Sequence, residues 1–233
     1  MTTGIMQPYF LPYLGYWQLL NYVDQYVVYD NIQFSKRGWF IKNSFLMNGS
    51  AKPFSLPLKK DSDYLNVDER IMASNREKDV QKVLGQIKSA YAKAPYFKDV
   101  YPVLEQCFLS KEENLFKFII NSILTIKAYL NINTNIIISS SVKINHDLKG
   151  KDKVIGLCKA VGCSKYINPI GGTELYTKEE FQNEGIELGF LKMNNIVYTQ
   201  FKHDFVPNLS ILDVMMFNTK DEIKTLLGKF SII

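Results

Sequence analysis

The chain of 233 residues carries only three cysteines, Cys107, Cys158 and Cys163, and only two histidines. An odd number of thiols without CxxC spacing excludes a disulfide framework and a zinc cradle, and their apolar neighbours mark them as structural. Cys163 lies near a turn, Val161-Gly162-Cys163-Ser164, but no base accompanies it, so covalent thiol chemistry is not expected. His146-Asp147 has no third ligand at useful spacing and reads as a surface loop, so no metal site is expected. Clustered lysines and arginines are also missing. The net charge of +5, from 28 basic and 23 acidic residues, is a mild bias toward anionic ligands and no nucleic-acid footprint. The amino terminus lacks a basic segment leading into an apolar stretch, and the apolar runs stop short of membrane-spanning length. A cytoplasmic protein without a membrane span is expected, and no repeat or low-complexity segment is visible.

What the chain does have is a dense opening. Gln7-Pro8-Tyr9-Phe10-Leu11-Pro12-Tyr13-Leu14-Gly15-Tyr16-Trp17 follows the apolar start of the chain, and Gln33-Phe34-Ser35-Lys36-Arg37-Gly38-Trp39 comes soon after. Two prolines, a glycine, an amide and several aromatics exceed what a strand-to-helix turn needs. Pro8 and Pro12 forbid regular structure between them, the spacing from Tyr16 to Tyr22 is helical, and Tyr26 to Asp30 is an almost continuous apolar strand. A βαβ unit therefore begins near residue 4. Ligands of such units bind beyond the carboxyl ends of the strands, where Gln7–Gly15 and Asp30–Arg37 both emerge.

Farther along, Phe54-Ser55-Leu56-Pro57-Leu58 alternates as a strand does, and helices are predicted from Asn75 to Tyr91, Asp99 to Phe108 and Lys111 to Leu130. Strands at Asn135–Ser139, Lys165–Asn168 and Ile186–Phe190 then alternate with helices at Lys151–Val161 and Tyr176–Glu184, and Gly162 and Gly185 act as stops. The fold class is α/β, a Rossmann-like parallel sheet flanked by helices. Residues 1–74 and 135–233 form its two halves, and residues 75–134 a helical insertion.

Two further segments stand at strand ends. Asn168-Pro169-Ile170-Gly171-Gly172-Thr173 reads as a tight turn before a helix or as a place where backbone approaches a phosphate or sugar. Tyr198 to Asp213 mixes polar and aromatic residues before an apolar helix; Asn208 or Ser210 caps it and Asp213 sits in its first turn. His203 lies in that segment, and histidine is the side chain best suited to exchange protons near neutrality.

The opening motif, Asp24, Tyr29-Asp30-Asn31-Ile32-Gln33-Phe34-Ser35-Lys36-Arg37-Gly38-Trp39, Asn43, Leu56-Pro57-Leu58, Tyr166 to Gly172, Tyr198-Thr199-Gln200 and Leu209 to Asp213 together resemble the WbqC-like family over essentially the whole chain. That family is found in bacterial gene clusters for O-antigen and other surface glycans. The resemblance implies an enzyme acting on an activated sugar, one that transfers glycine or another aminoacyl group to an amino sugar. The opening is also similar to nucleotidylyltransferases of the HIGH superfamily. It departs from them where they carry paired histidines, offering Gln7, Tyr9, Tyr13 and Gly15 instead.

The expected reaction is N-acyl transfer from a carrier-protein or coenzyme A thioester to the amino group of a nucleotide-linked deoxyamino sugar, a dTDP-sugar foremost, with no tightly bound cofactor. A sugar ammonium must lose a proton before it attacks, and the thioester carbonyl develops negative charge. His203 is assigned as base, with Asp30 as alternative base or orienter. Gln7 and Asn43 orient the sugar or polarise the carbonyl. Lys36 and Arg37 hold pyrophosphate, unless they are a solvated loop pair. Trp39, Tyr9 and Phe34 stack on base or sugar, unless they cap the core. Tyr13, Gln33, Asn168, Gly171, Gly172 and Gln200 complete the expected binding set. Aromatic surface at Tyr96, Phe97 and Tyr101 offers a face for an acyl carrier protein or a second copy. The alternatives are nucleotidyl or adenylyl transfer and a non-catalytic sugar-nucleotide binding protein.

Overall fold

The first apolar run becomes the middle of a sheet. In the computed structural model, which describes residues 1–202 and 204–233, β1 (Thr2–Met6) pairs in parallel with β2 (Gln25–Val28) on one side and β6 (Lys165–Pro169) on the other. β5 (Asn135–Ile138) extends the sheet beyond β2, and β7 (Glu187–Met193) extends it beyond β6. β8 (Phe230–Ile232) closes the edge antiparallel to β7, giving six strands in the order β5-β2-β1-β6-β7-β8.

Both faces are covered, as a parallel sheet requires. On one face α5 (Gly150–Ala160) and α6 (Lys178–Gln182) pack Val154, Leu157 and Phe181 onto Ile5, Val27 and Leu188. The larger core lies on the other face. It joins α1 (Leu14–Tyr22), α2 (Arg76–Tyr91), α3 (Phe97–Phe108), α4 (Leu115–Tyr129), α7 (Ile211–Phe217) and α8 (Lys220–Leu227) in one cluster. Cys107, Cys158 and Cys163 are free and buried. Among the described residues no helix is long and apolar enough to cross a membrane.

One element differs from its predicted place. The strand expected at 54–58 is instead the second arm of a hairpin, β3 (Lys42–Met47) and β4 (Ser50–Ser55). Its turn is Asn48-Gly49, both at positive φ (53° and 74°), the backbone a tight two-residue hairpin turn demands. α8 and β8 were not anticipated, although Thr219 and Glu222 form a capping box at the start of α8.

The opening loop is clamped into this framework. Phe10 is buried with its ring centroid 5.0 Å from that of Phe108 and 5.4 Å from that of Phe118, which ties the loop to α3 and α4. Leu11 takes a left-handed backbone, φ 45°, which is costly for a branched residue. Its carbonyl accepts hydrogen bonds from Asn43 Nδ2 at 2.6 Å and Ser210 Oγ at 2.7 Å. The next carbonyl, Pro12, accepts from Trp17 Nε1 at 3.2 Å and from the Ile211 amide at 3.0 Å. Gly15 completes the turn, because a Cβ there would lie 2.5 Å from the Tyr13 ring.

Asn43→Ala and Ser210→Ala should each destabilise the fold by about 1–3 kcal/mol, the range for a buried polar group losing its partner. The two losses should be non-additive in a double-mutant cycle followed by urea denaturation, because both bonds end on one carbonyl. Independent, additive losses would contradict the shared clamp.

Candidate functional site

Connections leave β1 toward β2 on one side, while β6 lies on the other, so the strand order reverses between β1 and β6. In open α/β sheets the crevice forms at such a point, outside the carboxyl ends of the strands. A cavity of about 1010 Å³ opens there, lined by Gln7 and Tyr9 after β1, Tyr29, Asn31 and Gln33 after β2, and Asn168, Gly171 and Gly172 after β6. His146, Lys149, Gly150 and Lys153, at the start of α5, form another wall. A second cavity of about 320 Å³ is lined by Tyr9, Pro12, Tyr13, Trp39, Asn43 and Asn208. Tyr9 belongs to both.

Of the residues nominated from sequence, Gln7, Tyr9, Gln33, Asn168, Gly171 and Gly172 thus share the large cavity, while Tyr13, Trp39 and Asn43 share the small one with Tyr9. The Tyr9 hydroxyl donates to Gln7 Oε1 at 2.9 Å. Burial, with Tyr13 adding to it, pushes the Tyr9 pKa up to about 12, so the phenol keeps its proton at neutral pH. Trp39 is 61% exposed and therefore caps no core. Phe34 is buried beneath the Arg70 guanidinium, 4.9 Å from its ring centroid.

Other nominated residues sit elsewhere. Lys36 is exposed, pairs with Asp63 at 2.7 Å and faces a separate hollow with Lys42, Lys59, Lys60 and Arg70. Arg37 is exposed and lines neither cavity. Asp30 is buried and accepts from Ser139 Oγ (2.7 Å), the Ser140 amide (2.9 Å) and Ser140 Oγ (2.6 Å), tying the end of β2 to the 3₁₀ turn after β5. Gln200 Nε2 donates to Asp213 Oδ2 at 2.8 Å, and its Oε1 accepts from the Val206 amide at 2.8 Å. His203 lies outside the described residues.

Asp213, expected to satisfy the amides at the start of α7, is fully buried and does something different. It accepts from the Tyr91 and Tyr198 hydroxyls, each at 2.6 Å, as well as from Gln200, so three elements meet on one carboxylate. Ser210 alone is the cap, its hydroxyl accepting from the Leu212 amide at 3.4 Å. Burial raises the Asp213 pKa, and the three donors oppose the rise.

Three residues of the large cavity, His146, Lys153 and Gly150, were given no binding role from the sequence. His146 is half-buried rather than a surface residue, and its ring bridges Asn31 Nδ2 (2.9 Å) and the Val142 carbonyl (3.0 Å). A carbonyl only accepts, so Nε2 carries the ring proton and Nδ1 accepts from Asn31. Lys153 is 3% exposed, donates to the His146 carbonyl at 2.9 Å, and places Nζ 5.3 Å from the Tyr29 ring centroid. Burial lowers its pKa, while Asp30, Asp147 and Asp68 pull it back up. Its signal was periodicity: Lys153 stands four residues before Leu157 on the buried face of α5. Gly150, at φ 52°, turns the chain into that helix.

Two outcomes follow from this geometry. Gly172 makes room for Asn168, since a Cβ would lie 1.8 Å from Asn168 Nδ2. Gly172→Ala should push the amide out of place, read as a large shift of the Asn168 side-chain NH₂ resonance; an unmoved resonance would refute it. The raised Asp213 pKa means that the folded state holds this proton to higher pH than the unfolded chain. Its contribution to stability is fully present below the ordinary value of 3.8 and declines as pH rises through the raised one. Wild type should therefore lose stability relative to Asp213→Asn over that rise in a series of denaturation curves, and parallel profiles would contradict the assignment.

The family model described as "WbqC-like protein family" matches residues 7–225. The chain is also 22% identical over 224 residues to a protein of Mycobacterium tuberculosis (strain ATCC 25618 / H37Rv) called "Uncharacterized protein Rv1507c", covering 94% of each. No solved structure matches it. With the match spanning the opening loop, both cavities and α7, the chain belongs to the WbqC-like protein family.

Proposed function

We propose that the protein transfers an aminoacyl or related acyl group from a thioester to the amino group of a nucleotide-linked deoxyamino sugar. The observation that carries this reading is the pair of chemically different cavities that meet at Tyr9. A transferase needs two sites whose reacting ends converge. The large cavity, where amides and lysines stand among aromatic and aliphatic side chains, suits a sugar nucleotide; the small aromatic one suits the acyl end of a carrier-protein or coenzyme A thioester.

In the step proposed, the sugar nitrogen, once deprotonated, attacks the thioester carbonyl carbon. A C–N bond forms, the C–S bond breaks, and the thiolate leaves and takes up a proton. Tyr9, which retains its proton at neutral pH, sits at the junction, and in the step its single O–H turns from Gln7 Oε1 to the developing oxyanion. His203 retains the role of base assigned from the sequence. Asp30 already accepts three hydrogen bonds and serves this scheme by fixing the strand ends.

Thermal unfolding with a ligand panel and a free-thiol assay test the reading. A nucleotide-linked amino sugar should raise the melting temperature, and thiol release should require that sugar, with its hydroxy analogue giving none. Tyr9→Phe should lower kcat about a hundredfold, as losing one oxyanion donor does, with little change in KM. Equal thiol release without acceptor would sink the proposal, and stabilisation by ATP with magnesium alone would favour nucleotidyl transfer.

A further inference from the structure

Lys36 and Arg37, given the pyrophosphate role from sequence, do not line the large cavity. Another group of residues has the right chemistry. α5 is eleven residues long and no side chain caps its amino end. Its Lys149 and Gly150 line the cavity. The first amides of a helix lack intrahelical partners and carry the positive end of its dipole. One turn in, Lys153 is buried, and among the described residues it donates one hydrogen bond, to the His146 carbonyl, of the three its ammonium can make.

Across the cavity stands an independent sign of a ligand. Asn168 is 7% exposed and lines the cavity, yet among the described residues its side chain makes no hydrogen bond. Its polar atoms are not among the fully enclosed ones, so they open onto the cavity, where a ligand group can take the hydrogen bonds the protein leaves unmade. Beside it Gly171 has open space where a Cβ would stand, so a bulky anionic group can approach the backbone there.

We propose that the amino end of α5, with Lys149 and Lys153, and the facing Asn168 and Gly171 form a binding site for the diphosphate of a nucleoside diphosphate. The assignment deepens the reading above and rests on it. One phosphoryl group meets the α5 amides and the lysines, as anions do at helix amino ends. The other takes the Asn168 amide. An anion would also offset the burial that disfavours the Lys153 ammonium. Asp147 lines the cavity too, exposed at its edge, while Asp30 and Asp68, which also act on Lys153, do not line it.

Calorimetric titration of the full chain with inorganic pyrophosphate, UDP and dTDP tests the site. Wild type should bind all three, the nucleotides more tightly. Lys153→Met, which keeps the apolar stem, should weaken UDP and dTDP at least tenfold. Lys149→Glu, at an exposed position that cannot disturb the core, should weaken them several-fold and decides the matter if Lys153→Met does not fold. No binding by wild type, or unchanged affinity in Lys149→Glu and in a folded Lys153→Met, would overturn the site. Amino-sugar-dependent thiol release with unchanged KM in these variants would overturn it while acyl transfer stands. Diphosphate binding lost as expected, in a protein that releases no thiol, would keep the site and sink acyl transfer.

Discussion

The site depends on one backbone carbonyl. Leu11 is held in a left-handed conformation that nothing local favours, and its carbonyl is caught between Asn43 of the hairpin and Ser210 at the start of α7. A strained, branched residue persists there because its surroundings over-determine it. The consequence is directional. With Phe10 sunk among aromatic side chains of α3 and α4, the alternate residues Tyr9 and Tyr13 are left to form the walls of the cavities. The hairpin and the helices between β4 and β5 thus act as a vice on the loop after β1.

The same economy explains why conspicuous polar residues turn out to be ties. A buried carboxylate is tolerable only when hydrogen bonds satisfy it. Asp30 and Asp213 each collect three donors, joining strand ends in one case and α2, α7 and the Tyr198 segment in the other. Such groups fix geometry around the cavities, with three of the roughly four lone-pair sites of each carboxylate already taken. The polar groups with unspent donors among the described residues are different ones, the Asn168 amide and the Lys153 ammonium, while the Tyr9 hydroxyl at the junction shares its proton with Gln7.

The sequence made the sheet legible because its inner strands are buried around short apolar stretches, and because α2, α4 and α5 carry plain helical periodicity. It placed Gln7, Tyr9 and Asn168 at strand ends, and the strand order brings those ends together. It missed the hairpin although Asn48-Gly49 signalled the turn, since the alternation of Phe54-Ser55-Leu56 drew the strand past its true end at Ser55. Lys153 and His146 were illegible as cavity residues for another reason. Their positions depend on how α5 docks against β2 and β6, a tertiary relation that local spacing does not encode. Lys36 and Arg37 stood out by composition, and Lys36 pairs with Asp63 beside a hollow separate from the large cavity.

A crystal structure of the protein with a dTDP-linked amino sugar tests the central claim most directly. The account predicts the diphosphate between the amino end of α5 and Asn168, with the sugar amine directed toward Tyr9 and the aromatic cavity. A ligand seated instead in the hollow beside Lys36, Lys59 and Arg70, or a sugar amine pointing away from Tyr9, would contradict it.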